Sequence, residues 1–363
     1  MTRNNASYFV AFSHCMGIGP LRFDRLLNHF KDVDKAYNAS QKELRKLFGR
    51  VLTDKFIQFR NEFNIEEKLE EFKNKRIVVL TREDRRFPRP LKEISDSPIC
   101  LYVKGDIDDF DFEKHYLFAV VGTRKPTSYG VNIARKLTYE LAFAGFTIVS
   151  GLALGIDAAA HTAALDAKAK TIAILGCGVD IAHPPSNKYL YDKIIQTGGL
   201  IISEFPPGMI SLKGLFIARN RLISGLSRGI LVVEGAKDSG ALTTARFGAE
   251  QGKEVFAVPG PITSEMSEAP NLLLKEGVRM VTSIDDILQE LQIKIIPKQK
   301  KHFENSLTKD QTKIIELLSQ EPKSTDEISF ATKISTSVIL QTLSTLEMSG
   351  VVEKNSEGKY QMR

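Results

Sequence analysis

Apolar positions change their rhythm twice along the chain. From residue 7 to about residue 50 they follow a helical spacing, with Leu21, Leu26, Leu27 and Phe30 recurring after the turn Gly17-Ile18-Gly19-Pro20. Near residue 76 short β-branched runs take over. RIVVLT (76–81) and ICLYVKG (99–105) bracket the Pro-rich turn FPRPL. FAVVG (118–122), FTIVS (146–150), TIAILG (171–176), LIISE (200–204), GILVVE (229–234) and EVFAVP (254–259) then alternate with helical patterns such as YGVNIARKLTYELAFAG. Apolar strands alternating with helices predict a doubly wound, mostly parallel sheet covered on both faces. Ligands of such sheets bind beyond the carboxyl ends of the strands, beside helix N-termini.

The second change falls near residue 291. The stretch KIIPKQKKHFENS has the lysines and proline of an exposed tether. After it come three helical patterns and a strand–turn–strand around Ser356-Glu357-Gly358, the order of a winged helix. The predicted domains are therefore 1–75 (helical, of helix–hairpin–helix or SAM type), 76–291 (the sheet), 292–306 (linker) and 307–363 (winged helix). The third helix of the last domain, SVILQTLSTLEMSG, has no Arg or Lys. A duplex-reading helix needs cations for the phosphates, so this pattern favours contact with protein.

Charge adds little at the level of the whole chain. The net +6 divides into +4 for residues 1–75, zero for 76–291, +3 for 292–306 and −1 for 307–363. Polyanion binding must then come from local clustering. Three scattered cysteines (Cys15, Cys100, Cys177), no metal-ligand spacing, no membrane-length apolar run and no secretory pattern predict a cytoplasmic protein with reduced thiols, no metal and no membrane association.

Candidate chemistry gathers at the predicted strand ends: Gly122-Thr123-Arg124, Ser150-Gly151, Gly176-Cys177-Gly178 and Glu234-Gly235, followed by Asp238-Ser239-Gly240. Small residues there admit a ligand close to the backbone, and hydroxyls beside free N–H groups suit oxyanions. The GIGP turn fits either a backbone phosphate contact or a plain helix start. In LFIARNRLISGLSRGILVVE (215–234), Arg219 and Arg221 flank Asn220 within an apolar run. A buried guanidinium needs a partner, which can be a carboxylate such as Glu204 or Glu234, or a bound phosphate. Phosphate is the expectation for Arg219, and both remain open for Arg221. Lys213 and Phe216, three apart, share a helical face and pair a cation with an aromatic surface. Asp157 and His161 in GIDAAAH are the one candidate acid–base pair, without a third partner, and His183 in its Pro-rich loop reads as structural. No G-x-G-x-x-G follows a strand and no P-loop motif occurs, which argues against an ordinary dinucleotide or NTP site.

The words VGTR (121–124), SGLALGIDAAAH (150–161), ISEFPPG (202–208), FIARNRLISGLS (216–227), VVEGAKDSGALTTA (232–245) and VFAVPG (255–260), in that order, closely resemble the DNA-processing protein A family (DprA, or Smf). The resemblance spans about residues 76–283. The chain departs from it in having His183-Pro184 where Tyr-Pro is usual. It implies an extended Rossmann-like domain that binds single-stranded DNA without sequence preference, forms a homodimer and carries no cofactor. It further implies action in natural transformation, protecting incoming strands and helping to load the RecA recombinase, without catalysis. On this basis the expected DNA contacts are Gly122, Thr123, Arg124, Ser150, Gly151, Lys213, Phe216, Arg219, Asn220, Ser239 and Gly240. The alternatives are a nucleotide-binding hydrolase of the lysine-decarboxylase-like Rossmann group, whose PGGxGT loop is replaced here by GAKDSGALTTA, and a regulator whose winged helix reads duplex DNA.

Overall fold

Side-chain caps start most helices of the first 75 residues. The computed structural model describes residues 5–293, 308–348, 351–355 and 358–362. It begins with α1 (Asn5–His14), the GIGP turn and α2 (Pro20–Phe30), with Gly19 as N-cap and proline at the first helical position. The Asp32 side chain caps α3 (Val33–Asn38), and a Ser40–Glu43 capping box starts α4 (Gln41–Glu62). Asn64 caps α5 (Ile65–Asn74). Phe12 stacks on Phe56 at 5.4 Å and meets Phe23 edge-on, so aromatic rings fill the centre of this bundle. The bundle shares its core with the sheet that follows. Phe72 packs against Tyr102, whose hydroxyl lies 2.6 Å from Ser13 Oγ.

The sheet is built from β1 (Val78–Thr81), α6 (Arg89–Glu93), β2 (Cys100–Gly105), β3 (Tyr116–Val121), α7 (Ser128–Phe143), β4 (Phe146–Ser150), α8 (Ile156–Asp166), β5 (Thr171–Ile174) and α9 (Lys188–Gln196). It continues through β6 (Leu200–Ser203), α10 (Lys213–Leu226), β7 (Gly229–Val232), α11 (Gly240–Glu250), β8 (Glu254–Ala257), α12 (Glu268–Lys275), β9 (Arg279–Met280) and α13 (Ile284–Glu290). The strand order is β1-β2-β6-β5-β4-β3-β7-β8-β9. Every neighbouring pair from β6 to β9 is parallel, while β2 runs antiparallel to β6 and β1 antiparallel to β2. This is the doubly wound, Rossmann-like sheet expected from the alternation.

Both faces are dry. Leu222, Ile223 and Leu226 of α10, with Leu242 of α11, cover Val149, Ile172 and Ile230 on one face. Leu137 of α7, Ala160 of α8 and Ile287 of α13 cover Phe118, Ile148 and Phe256 on the other. The chain winds one way from β3 through β4 and β5 to β6. It then returns over the sheet along α10 to place β7 on the opposite side of β3. The strand order reverses at β3 and β7, and that reversal opens a crevice at their carboxyl ends.

Contacts divide the chain into two units, Met1–Lys294 and Ile295–Arg363, with the helical segment counted in the first. The second unit has helices Lys309–Leu318, Thr325–Thr332 and Thr336–Met348 and the strand pair Val352–Lys354 and Tyr360–Met362. Ile314, Leu318, Ile328, Ile339, Leu343 and Tyr360 form its core, and a Ser324–Glu327 capping box starts its middle helix. Most of the predicted linker, and Ser356 and Glu357 of the predicted turn, lie outside the described residues. The three cysteines are free and buried, and no described helix is long and apolar enough to cross a membrane.

Candidate nucleic-acid interface

A cleft of about 680 Å³ opens at the crevice between β3 and β7. Its walls come from three places in the sequence: the loop after β3, the first two turns of α10, and the loop from β7 into α11. The first wall carries Gly122, Thr123 and exposed Arg124. Its conformation is fixed from below, because Thr123 N–H donates to the Glu234 carbonyl at 2.7 Å. Glu234 also receives the Thr127 N–H and hydroxyl at 2.9 and 2.6 Å and so secures the start of α7. Of the carboxylates expected to neutralise an arginine, Glu234 serves as this anchor instead.

The second wall is α10. Lys213 is its first residue and is exposed, while Phe216, one turn later, is half-buried. Both line the cleft, as their spacing predicts. The Arg124 guanidinium lies over the Phe216 ring at 5.1 Å, and the His183 ring is tilted beside it at 5.3 Å. The ring also rests on Gly176, where an added Cβ would sit 2.8 Å from Phe216 Cδ1. A glycine at this strand end is what lets the aromatic ring approach.

The third wall is the N-terminus of α11, with Ser239 as N-cap and Gly240 open to the cleft. The first N–H groups of a helix have no partner within it, and this end attracts anions. Asn220 ties this wall to the second by donating from Nδ2 to the Gly240 carbonyl at 3.3 Å.

Arg219 and Arg221 separate sharply. Arg221 points away from the cleft and pairs with Glu204 at 2.6 Å and Asp96 at 2.8 Å. For this residue the carboxylate reading holds. Arg219 is buried, at 4% exposure, beneath the floor of the cleft. Its Nη1 donates to the carbonyls of Gly151, at 2.7 Å, and Ile174, and its Nε donates to Asn220 Oδ1 at 3.0 Å. Arg219 thus lies deeper than the sheet lip expected for it, while still lining the cleft. Most of the guanidinium is spent joining the ends of β4 and β5, and only an edge reaches the cavity. Burial, against the pull of Asp157 and with Arg124 nearby, lowers its pKa to about 10, so it stays cationic at neutral pH.

Ser150 is also corrected. It is fully buried, with Oγ donating to the Val120 carbonyl at 2.7 Å, and cannot meet a ligand. As the last residue of β4, its side chain follows the strand's alternation into the sheet. Gly151 lies against the Arg219 guanidinium and borders a smaller neighbouring cavity. Asp157 and His161 do not meet as an acid–base pair. Asp157 accepts the N–H groups of Gly151 and Ala153, at 3.1 and 3.3 Å, and holds the loop that contains the left-handed residue Leu152 (φ 56). His161 is fully buried with Nδ1 2.7 Å from Thr171 Oγ1, and burial followed by Arg219 lowers its pKa to about 3.

The cleft also includes Asp238, named with its neighbours at a strand end, and Lys125 and the threonines Thr243 and Thr244, which the sequence reading did not select. Lys125 follows Arg124 directly, and two hydroxyls in the first turns of α11 were the available signal. Among the described residues, no group of three or more His, Cys, Asp or Glu side chains is placed to hold a metal ion. The arrangement can hold an extended polyanion: cations and helix N–H groups for phosphates, and an aromatic ring for a base.

Comparison with known proteins agrees with these features. Residues 78–292 match the family described as DNA recombination-mediator protein A, and residues 299–358 match the DprA winged helix domain. Protein Smf of Synechocystis sp. is 33% identical over an alignment of 399 residues that covers 100% of both chains. The X-ray structure of DNA processing protein A from Streptococcus pneumoniae superposes with a TM-score of 0.70 at 34% identity, covering 80% of this chain and 99% of that one. The DNA processing protein A of Helicobacter pylori, described with a unique single-stranded DNA binding mode, gives a TM-score of 0.53 at 31% identity, covering 60% and 95%.

Proposed function

Because the chain belongs to the DNA recombination-mediator protein A (DprA/Smf) family, we propose that its cleft binds single-stranded DNA without regard to sequence. One observation carries this reading: Arg124, Lys213 and the Phe216 ring line one cavity that ends on the open N-terminus of α11. Phosphates meet cations and backbone N–H groups, whose energy is the same for every base. The ring offers a stacking surface, and every base has a π-face. None of these contacts reads a base edge, so the site suits strands of arbitrary sequence.

On this reading the protein is a binding protein of natural transformation, cytoplasmic and homodimeric. It shields incoming strands and hands them to the RecA recombinase. Its chemistry is holding, not cutting. The separate engagement of Asp157 and His161 supports this: Asp157 borders the cleft but is held by the Gly151 and Ala153 N–H groups, and His161 is buried against Thr171. The proposed DNA contacts are Gly122, Thr123, Arg124, Lys213, Phe216, Asn220, Ser239 and Gly240, with Arg219 and Gly151 supporting them from below. Residues 307–363 are proposed to be an auxiliary, protein-contacting unit, as a third helix without cations suggests.

The test is a gel-shift titration of poly-dT against duplex of equal length, using the full chain and a chain ending at residue 293. Single strands should bind far more tightly than duplex, and the shorter chain should keep most of that affinity. Preference for duplex, or loss of single-strand binding with the last unit, would refute the assignment of the site to the sheet.

A further inference from the structure

Beside the main cleft, and sharing Arg124, Phe216 and Arg219 with it, lies a second cavity of about 60 Å³. One water needs about 15 Å³ of such space, so it has room for a phosphate group and is too small for a base. Arg124, Arg219, Phe216, His183 and Gly151 surround it. Its charge is one-sided. Among the described residues neither Arg124 nor Arg219 has a carboxylate ion-pair partner, whereas Arg221, two residues from Arg219, has two. Arg219 is more than nine-tenths buried, and among the described residues its Nη2 makes no hydrogen bond, in contrast to Nη1 and Nε. Two guanidinium groups thus converge on one small space, with a donor unused.

His183 supplies the remaining wall. Ser211 Oγ lies 3.3 Å from its Nδ1, and Nε2 has no hydrogen-bond partner among the described residues. The charged groups acting on the ring are Arg124, from the loop after β3, and Arg219, from α10. Asp157 on α8 acts on Arg219, and Asp180, three residues before His183, is turned to Lys75 and the Gly208 N–H.

We propose that this cavity is an anion subsite for one phosphate of the bound strand, adjoining the base stacked in the main cleft, and that His183 contacts this phosphate as an imidazolium. The inference rests on the single-strand reading of the cleft. In the free protein, burial and the two arginines keep the imidazole below its ordinary pKa and hence neutral at pH 7. A phosphate between the arginines cancels their repulsion and favours the charged ring. Binding then takes up a proton, and affinity rises as pH falls through the range where the free ring is neutral and the bound ring charged. A shift of one pKa unit corresponds to a tenfold gain.

Poly-dT affinity measured from pH 8 to pH 5.5 at fixed salt tests this on the full chain. The native protein should gain about five- to tenfold toward low pH. His183→Gln should gain almost nothing from pH 8 to pH 5.5, and His183→Lys should bind tightly with a flat profile. Titrations in buffers of different ionisation enthalpy should show proton uptake by the native protein and none by His183→Gln, with thermal melts confirming that both variants are folded. A His183→Gln profile that follows the native one, or equal losses at every pH, would overturn the subsite while leaving single-strand binding intact. Failure of the native protein to bind poly-dT at any pH would instead overturn the reading on which it rests.

Discussion

The two sides of α10 handle the same problem in opposite ways. Arg221, on the side away from the cleft, is buried with Glu204 and Asp96 and so is neutralised within the fold. Arg219, half a turn away, is equally buried but is met only by carbonyls and an amide oxygen. Dipoles can solvate a guanidinium, but they cannot cancel its charge. One side of the helix is therefore electrostatically closed and contributes to holding α10 on the sheet. The other leaves a positive charge under the cleft floor, where it acts on Arg124, His161 and His183. Asp157 acts on this charge without forming an ion pair with it, and among the described residues no carboxylate contacts it, which leaves a place for a counter-charge from outside.

The contrast is broken most directly at Glu204. Burial pushes its carboxyl up, and Arg221 pulls it back. Arg221→Ala strands that carboxylate, and losing one member of a buried pair costs about 3–5 kcal/mol. Chemical denaturation should show this loss, while poly-dT affinity of the folded fraction should not change. Next in size is an effect of burial, reinforced by the uncancelled side. His161 is neutral when folded, with a pKa of about 3, against 6.5 for the ordinary residue. The unfolded chain binds more protons between those values, so stability should fall as pH drops below about 6.5 and go on falling toward pH 3. The loss is on the order of a few kcal/mol, and melts of His161→Asn should show a shallower dependence.

Binding at the open side gives the smaller effects. Phe216→Ala should weaken poly-dT binding by about 1–3 kcal/mol with the salt slope nearly unchanged. Its melting loss should be smaller than the ~3–5 kcal/mol of a fully buried phenylalanine, because the ring is half-buried. Arg124→Ala and Lys213→Ala should each lower the salt slope by about 0.7 for every homopolymer. If either changed melting and left the slope alone, the division into a closed and an open side would be wrong.

Much of this was legible in the chain. Eight β-branched runs gave eight strands, because buried parallel strands need nearly continuous apolar residues. The helical spacing of Lys213 and Phe216 gave their shared wall. What could not be read was direction and distance. The words around Ser150 look like an open strand end, yet alternation turns that hydroxyl inward. The division of labour between Arg219 and Arg221 depends on Asp96, which lies 125 positions before Arg221 and reaches it through a loop. His183 sits in a Pro-rich loop with no periodicity, and only the folded chain places it against Phe216. The two-residue β9 is too short to leave any pattern.

The return of the chain along α10 also sets an order of assembly. Arg124, Lys213 and Phe216 are all present once residue 216 has been synthesised, but the wall they face begins at β7 and α11. Until Gly229–Val232 has paired with β3, the loop after β3 borders an open sheet edge and no cleft exists. If the cleft is the DNA site proposed above, a growing chain that ends within α10 lacks it, and the ability to hold a strand there comes only with β7 and α11.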